Sequence, residues 1–144
     1  MNALFPPPAD TSTIKLRVLS LGAGVQSTTL ALMAAHGEIG PMPDCAIFAD
    51  TGWEPRAVYE HLFPVHIVSD GNIREGLVNG ARGERWASIP AFTKSASGKV
   101  GMIRRQCTKE LKIVPIRRKV RELIGIAGKR SPNHPVVEQW IGIS

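Results

Sequence analysis

Residues 16–28 run Leu16-Arg17-Val18-Leu19-Ser20-Leu21-Gly22-Ala23-Gly24-Val25-Gln26-Ser27-Thr28. The first six form a short, mostly apolar run of the kind that becomes a buried strand. Gly22-Ala23-Gly24 breaks it. Residues 27–35 carry Leu30, Leu32 and Met33 and read as a helix, apolar almost all round and therefore expected to be buried. Gly37 stands where a helix end takes glycine. Glycines at such a junction let the backbone turn sharply and approach a ligand closely. The free N–H groups and the positive dipole end of the helix then attract phosphate. Ser27 and Thr28 add hydroxyl donors at its first turn. An ordinary tight turn could use the same residues, but the place between strand and helix favours phosphate binding.

Outward from this loop, strands and helices alternate. Cys45-Ala46-Ile47-Phe48-Ala49 is a continuous apolar run, typical of a strand covered on both faces. Asp50-Thr51-Gly52 ends it, and a short helix with Val58 and Leu62 starts near Pro55. Val65-His66-Ile67-Val68 reads as a third strand. Residues 72–79 form a helix capped by Asn72, with Glu75 three residues on and Gly80 after it. Residues 81–103 lack a period and read as a long functional or mobile loop, on which Lys94 and Lys99 could close over substrate. Pro115 opens a helix with Ile116, Val120, Leu123 and Ile124 on one face, and Gly125 ends it. Its basic run, residues 117–121, reads as a solvated face. Residues 136–143 form a last strand around Trp140. The alternation implies an α/β fold, a doubly wound parallel sheet with helices on both faces. Residues 1–13 read as a flexible leader and 14–144 as one nucleotide-binding domain. The stop just after a strand suggests a domain truncated at its C-terminus.

The composition is compatible with this reading. Apolar residues make up 43% of the 144, a normal share for a soluble globular chain. No apolar run approaches the roughly 20 residues of a membrane helix, and the start lacks a signal peptide's features, so a cytoplasmic protein is expected. The net charge of +6 favours anionic partners, nucleotide or nucleic acid, or is simply a solvated basic face. Two cysteines, Cys45 and Cys107, neither frame a disulfide scaffold nor hold a four-thiolate cluster. The four histidines have no metal-ligand spacing. Trp53 and Trp86 could stack on a base or pack at the rim of the core.

Two common phosphate loops do not fit. A Walker A loop needs Lys before its Ser/Thr, where this chain has Gln26. A dinucleotide fingerprint needs a third glycine, where it has Ser27. The spacing Gly22-x-Gly24-x-x-Ser27-Thr28 resembles the pyrophosphate loop of the PP-loop superfamily, whose common motif is Ser-Gly-Gly-x-Asp-Ser. Phe48-Ala49-Asp50-Thr51-Gly52 is similar to the Asp-Thr-Gly segment of the phosphoadenosine phosphosulfate (PAPS) reductase branch. Arg105-Gln106-Cys107-Thr108 followed by Lys112 and Pro115-Ile116 is similar to that branch's segment before a later helix. The three segments stand in the same order and span most of the chain. The likeness is greatest to PAPS reductase-like proteins of phages and bacteria, in the wider group of adenine nucleotide α-hydrolases.

This resemblance implies an enzyme that binds ATP at the carboxyl ends of its strands and cleaves it to AMP and pyrophosphate, activating an acceptor that is a nucleic acid or a small metabolite. It implies that Ser20, Gly22, Ala23, Gly24, Gln26, Ser27 and Thr28 hold the phosphates. Asp50, Thr51 and Gly52 would lie near the nucleoside, with Asp50 facing Mg²⁺ or serving only as a turn cap. Arg105 and Lys112 would neutralise charge developing on the phosphates, and Arg104 could join them or be a surface charge. Cys107 is either a reactive thiol or a buried hydrophobe. Gly22 replaces the family's first Ser and Gln26 its Asp, which weakens the case for catalysis more than for binding. The C-terminal cysteine motif of true PAPS reductases is absent. The alternatives are therefore a PAPS-binding reductase or sulfur-transfer relative, working with a partner protein or as a homo-oligomer, and a non-catalytic nucleotide-binding module.

Overall fold

The computed structural model describes residues 11–52, 54, 56–61, 65–84, 92–102 and 107–142. Four parallel strands form its sheet: β1 (Leu16–Leu21), β2 (Cys45–Asp50), β3 (His66–Ser69) and β6 (Val137–Ile141), in the order β3-β2-β1-β6. The chain leaves β1 in one direction through β2 and β3, then returns to pair β6 with β1's other edge. β1 and β6 therefore flank the point where the winding reverses. The α/β fold with a parallel sheet is as the alternation of elements predicts, and no described helix is long and apolar enough to cross a membrane.

Alternation along each strand sends side chains to two faces. On one face Val18 and Ile47, both fully buried, meet Val120, with Leu16, Val68, Ile116 and Val137 packed around them. Ile116 and Val120 belong to α4 (Val114–Leu123). On the other face Leu19 and Leu21 meet α1 (Val25–Ala35), whose Ala34 is buried. α1 is less covered than its composition predicts. Leu32 is half exposed and Val25 is 80% exposed, because no described element packs on its outer side. Gly37 ends it with φ +72°. Cys45 lies partly buried in the first core, and burial, reinforced by the Asp44 carboxylate, pushes its thiol pKa up. Thr13 Oγ1 donates to the Pro135 carbonyl at 2.6 Å, so the end of the predicted leader is tied to the strand edge.

Three further elements refine the sequence reading. The predicted helix near Pro55 is α2 (Arg56–His61), with Pro55 and Leu62 outside the described residues. α3 (Ile73–Ala81) starts as predicted, Asn72 Oδ1 accepting Arg74 N–H at 2.8 Å. The supposed long loop contains a hairpin, β4 (Phe92–Lys94) against β5 (Val100–Met102). Gly98, at φ +84°, supplies the left-handed turn residue that the hairpin needs.

The helix expected to open at Pro115 begins earlier. Thr108–Ile113 is a π-helical turn running directly into α4. Pro115 has no N–H for the Leu111 carbonyl, and in an α-helix its ring would clash there. The wider turn relieves this, and Val114 N–H donates to Lys109 O, five residues back.

Candidate functional site

The β1–α1 loop takes its sharp turn at Ala23, with φ 52°, the one positive φ among the described non-glycine residues. Neither Gly22 nor Gly24 has a positive φ. A left-handed alanine costs about 1–2 kcal/mol, a strain of the sort that collects at ligand-binding loops. The two glycines are also not required by packing. A Cβ on Gly22 would come no nearer than 3.9 Å to Ser27 Oγ, and one on Gly24 no nearer than 4.0 Å to Gln26 Oε1. What glycine does provide at both places is open backbone on the outer side of the loop.

Ser27 holds the loop in shape. It is 5% exposed, its Oγ accepting Gly22 N–H at 3.1 Å and donating to Gly24 O at 3.2 Å. Its hydroxyl proton is thus engaged inside the loop, rather than offered outward as the sequence suggests. Gly24 is the N-cap of α1 without a side-chain cap, and α1 has no acidic residue in its first turn. The first N–H groups and the dipole of an 11-residue helix are left uncompensated by side chains.

The loop opens onto a cleft of about 800 Å³ at the carboxyl ends of β1 and β6, where the sheet's winding reverses. Ligands of open α/β sheets bind in this crevice. Ser20, Gly22, Gly24, Gln26, Ser27 and Lys112 all line it. The π-turn and α4 form the opposite wall. Lys112 and Arg117 both line that wall, beside Ile113, Ile116 and Val120. Arg117 is exposed, as the solvated face assigned to it expects, and it also borders the cleft. Its neighbours behave as a surface would: Arg118 pairs with Asp70 at 3.3 Å and Lys119 with Glu122 at 2.9 Å. No carboxylate lines the cleft among the described residues.

β6 supplies a floor that the sequence does not announce. Gln139 Nε2 donates to Ser20 Oγ at 2.5 Å. Gly142 passes so close to α1 that a Cβ there would lie 3.0 Å from Ser27 N. A glycine directly after a strand was the available signal for this close approach.

The remaining predicted residues lie elsewhere. Ala23 and Thr28 line a separate, mostly apolar groove on the α1 face. Asp50, Thr51 and Gly52 form a turn at the end of β2: Asp50 Oδ1 accepts Gly52 N–H at 2.7 Å, and Thr51 O accepts Ile73 N–H at 3.0 Å. Asn72 Nδ2 donates to Gly52 O, tying the turn to the start of α3. This is the turn-capping role open to Asp50. Cys107 is partly buried where the π-turn begins, next to the cleft-lining Thr108. Arg104, Arg105, Trp53 and Trp86 lie outside the described residues.

Mg²⁺ is bound through one or two carboxylates plus phosphate oxygens and water. Asp50 is not part of the cleft lining, and no described group of three or more His, Cys, Asp or Glu could hold a metal ion. The described residues therefore do not fit a Mg²⁺ site of the protein's own in this cleft. Compared with known protein families, curated proteins and solved structures, the chain matches none.

Proposed function

We propose that the cleft binds an adenine nucleotide by its phosphates, which sit on the Gly22–Gly24 loop and face Lys112 and Arg117. One observation carries this reading. Two glycines needed by neither the fold's torsions nor its packing face two lysine and arginine side chains across a cleft lined by no described acid. Loop N–H groups and the α1 dipole attract phosphate from one side, and the cations attract it from the other. In the reaction that the PP-loop resemblance implies, ATP is cut between its α- and β-phosphates and an acceptor is adenylated. Negative charge then grows on the departing pyrophosphate, and Lys112 and Arg117 would stabilise it.

The absence of a carboxylate from the described lining favours a second ligand, a sulfonucleotide such as PAPS, which needs no metal partner to be held. Calorimetric titration with ATP, with and without Mg²⁺, and with PAPS separates the two. ATP binding that Mg²⁺ strengthens supports the adenylating reading. Tighter PAPS binding, indifferent to Mg²⁺, supports the second. Both must vanish in Gly24→Asp, which sets a charge and a side chain against the phosphates. Binding unchanged by that substitution, or no binding of either nucleotide, would overturn the assignment.

A further inference from the structure

The positive charge of this chain is not spread over it. Between Glu84 and Glu110, residues 85–109 contain Arg85, Lys94, Lys99, Arg104, Arg105 and Lys109, and no Asp or Glu. The chain has 18 Lys and Arg against 12 Asp and Glu, so the residues outside this segment have twelve of each sign. The whole net charge of +6 equals that of the one segment.

The described centre of this segment is the β4–β5 hairpin, in which every residue is exposed. Its pairing sets Phe92 opposite Met102 and Lys94 opposite Val100, all on one face, with Thr93 and Gly101 on the other. Phe92 is 79% exposed. The turn that follows is held by Ser95 Oγ, which accepts Lys99 N–H at 3.1 Å and hydrogen-bonds Ser97 Oγ at 2.8 Å. An isolated two-stranded hairpin is only marginally stable in water, and it gains from a surface laid against it.

We propose that this face binds single-stranded nucleic acid, a base stacking on Phe92 while Lys94 holds a backbone phosphate. An exposed aromatic beside cations, with no carboxylate to repel phosphate, is the usual composition of a single-strand surface. Strand rise puts Phe92 and Lys94 about 7 Å apart on one face, within the span of one nucleotide. A membrane-binding element separates its apolar and charged sides. Here Lys94 shares the face with Phe92, Val100 and Met102. Protein–protein interfaces are depleted in lysine. Joined to the nucleotide reading of the cleft, on which this last step rests, the strand held here is the acceptor.

The test is fluorescence anisotropy of labelled oligo-dT and oligo-U of about 15 nucleotides, enough for one site, with the parent chain and two variants. Both single strands should bind better than duplex of the same length. Phe92→Ala should weaken binding at least about 5-fold with its salt dependence unchanged. Lys94→Gln should flatten the slope of log K against log salt by about 0.7. A preference between the DNA and RNA strands identifies the natural one. The residues are exposed, so thermal melts should match the parent's, and ATP titrations should too. That keeps a failure here distinct from a failure of the cleft reading. Binding of phosphatidylserine vesicles but not of oligonucleotides, a preference for duplex, or affinities that the variants leave unchanged would overturn the proposal.

Discussion

Replacing Gly142 by alanine tests whether β6 and the phosphate loop form one unit. The added Cβ would stand 2.9 Å from Gln26 Cβ, 3.0 Å from Ser27 N and 3.2 Å from Gln26 C. Two of these neighbours are backbone atoms of α1's first turn and cannot swing aside. Ordinary contact begins near 3.4 Å, so strand end and helix start must part by roughly half an ångström. Overpacking of this kind costs about 1–3 kcal/mol. Unfolding entropy near 2.1 cal/mol/K per residue gives about 0.3 kcal/mol/K for a chain this long, so the melting temperature should fall by about 3–10 °C. The displacement also reaches Ser27, and nucleotide affinity should fall with stability. Gly24→Ala is the internal comparison. The same methyl there meets nothing nearer than 4.0 Å, and the cost is that of an alanine N-cap, about 1 kcal/mol or less. Circular dichroism melts and urea titrations of the parent and both variants would decide the matter. If Gly142→Ala melts within a degree of the parent, β6 does not press on the loop and the floor of the cleft is wrongly drawn.

Three other outcomes follow from the same geometry. Ser27→Ala leaves the Gly22 N–H without its internal acceptor, and should lower stability by about 1–3 kcal/mol in urea titration. Lys112→Gln and Arg117→Gln should each weaken nucleotide binding about 5- to 10-fold at low salt, and less at high salt, with melting unchanged; calorimetry at two ionic strengths checks this. For Cys45, burial raises the thiol pKa in the folded state. Below the ordinary value of 9.0 both states keep the proton and stability is unaffected. Above it the unfolded chain ionises first, so stability falls as pH rises toward the folded value. Urea titrations at about pH 8 and pH 10 should show the loss, and Cys45→Ala should remove it.

Strands β1 and β2 were legible because they are buried on both faces and therefore spell continuous apolar runs. The α3 start was legible because Asn72 both caps and precedes a helical pattern. The π-turn was not, since nothing in Thr108–Ile113 marks it; its cause, Pro115, reads locally as a helix start. Arg117 was read only as part of a solvated face; it is exposed, but it also borders the cleft. Ala23 was assigned to the phosphates as part of a glycine pattern, yet its torsion makes the turn while its side chain joins the other groove. Gln139 was invisible because parallel pairing brings together residues whose distance along the chain leaves no periodic trace, and Gly142 offered only its place after a strand. The Asp-Thr-Gly turn kept its predicted place after β2, but its hydrogen bonds tie it to α3.

The pairing of β1 with β6 has a consequence in time as well as in space. Each registered pair, from Leu16 with Val137 to Ser20 with Ile141, joins residues 121 positions apart. Loops of that length close slowly, and parallel pairing of distant strands is among the slowest steps in folding. During synthesis β1, α1 and β2 leave the ribosome long before β6. Until β6 docks, the glycine loop has no floor, no Gln139 against Ser20, and an open strand edge beside it. The nascent chain therefore carries a recognisable loop without a working cleft, and that exposed edge of β1 is where a chaperone or a misplaced strand would bind first.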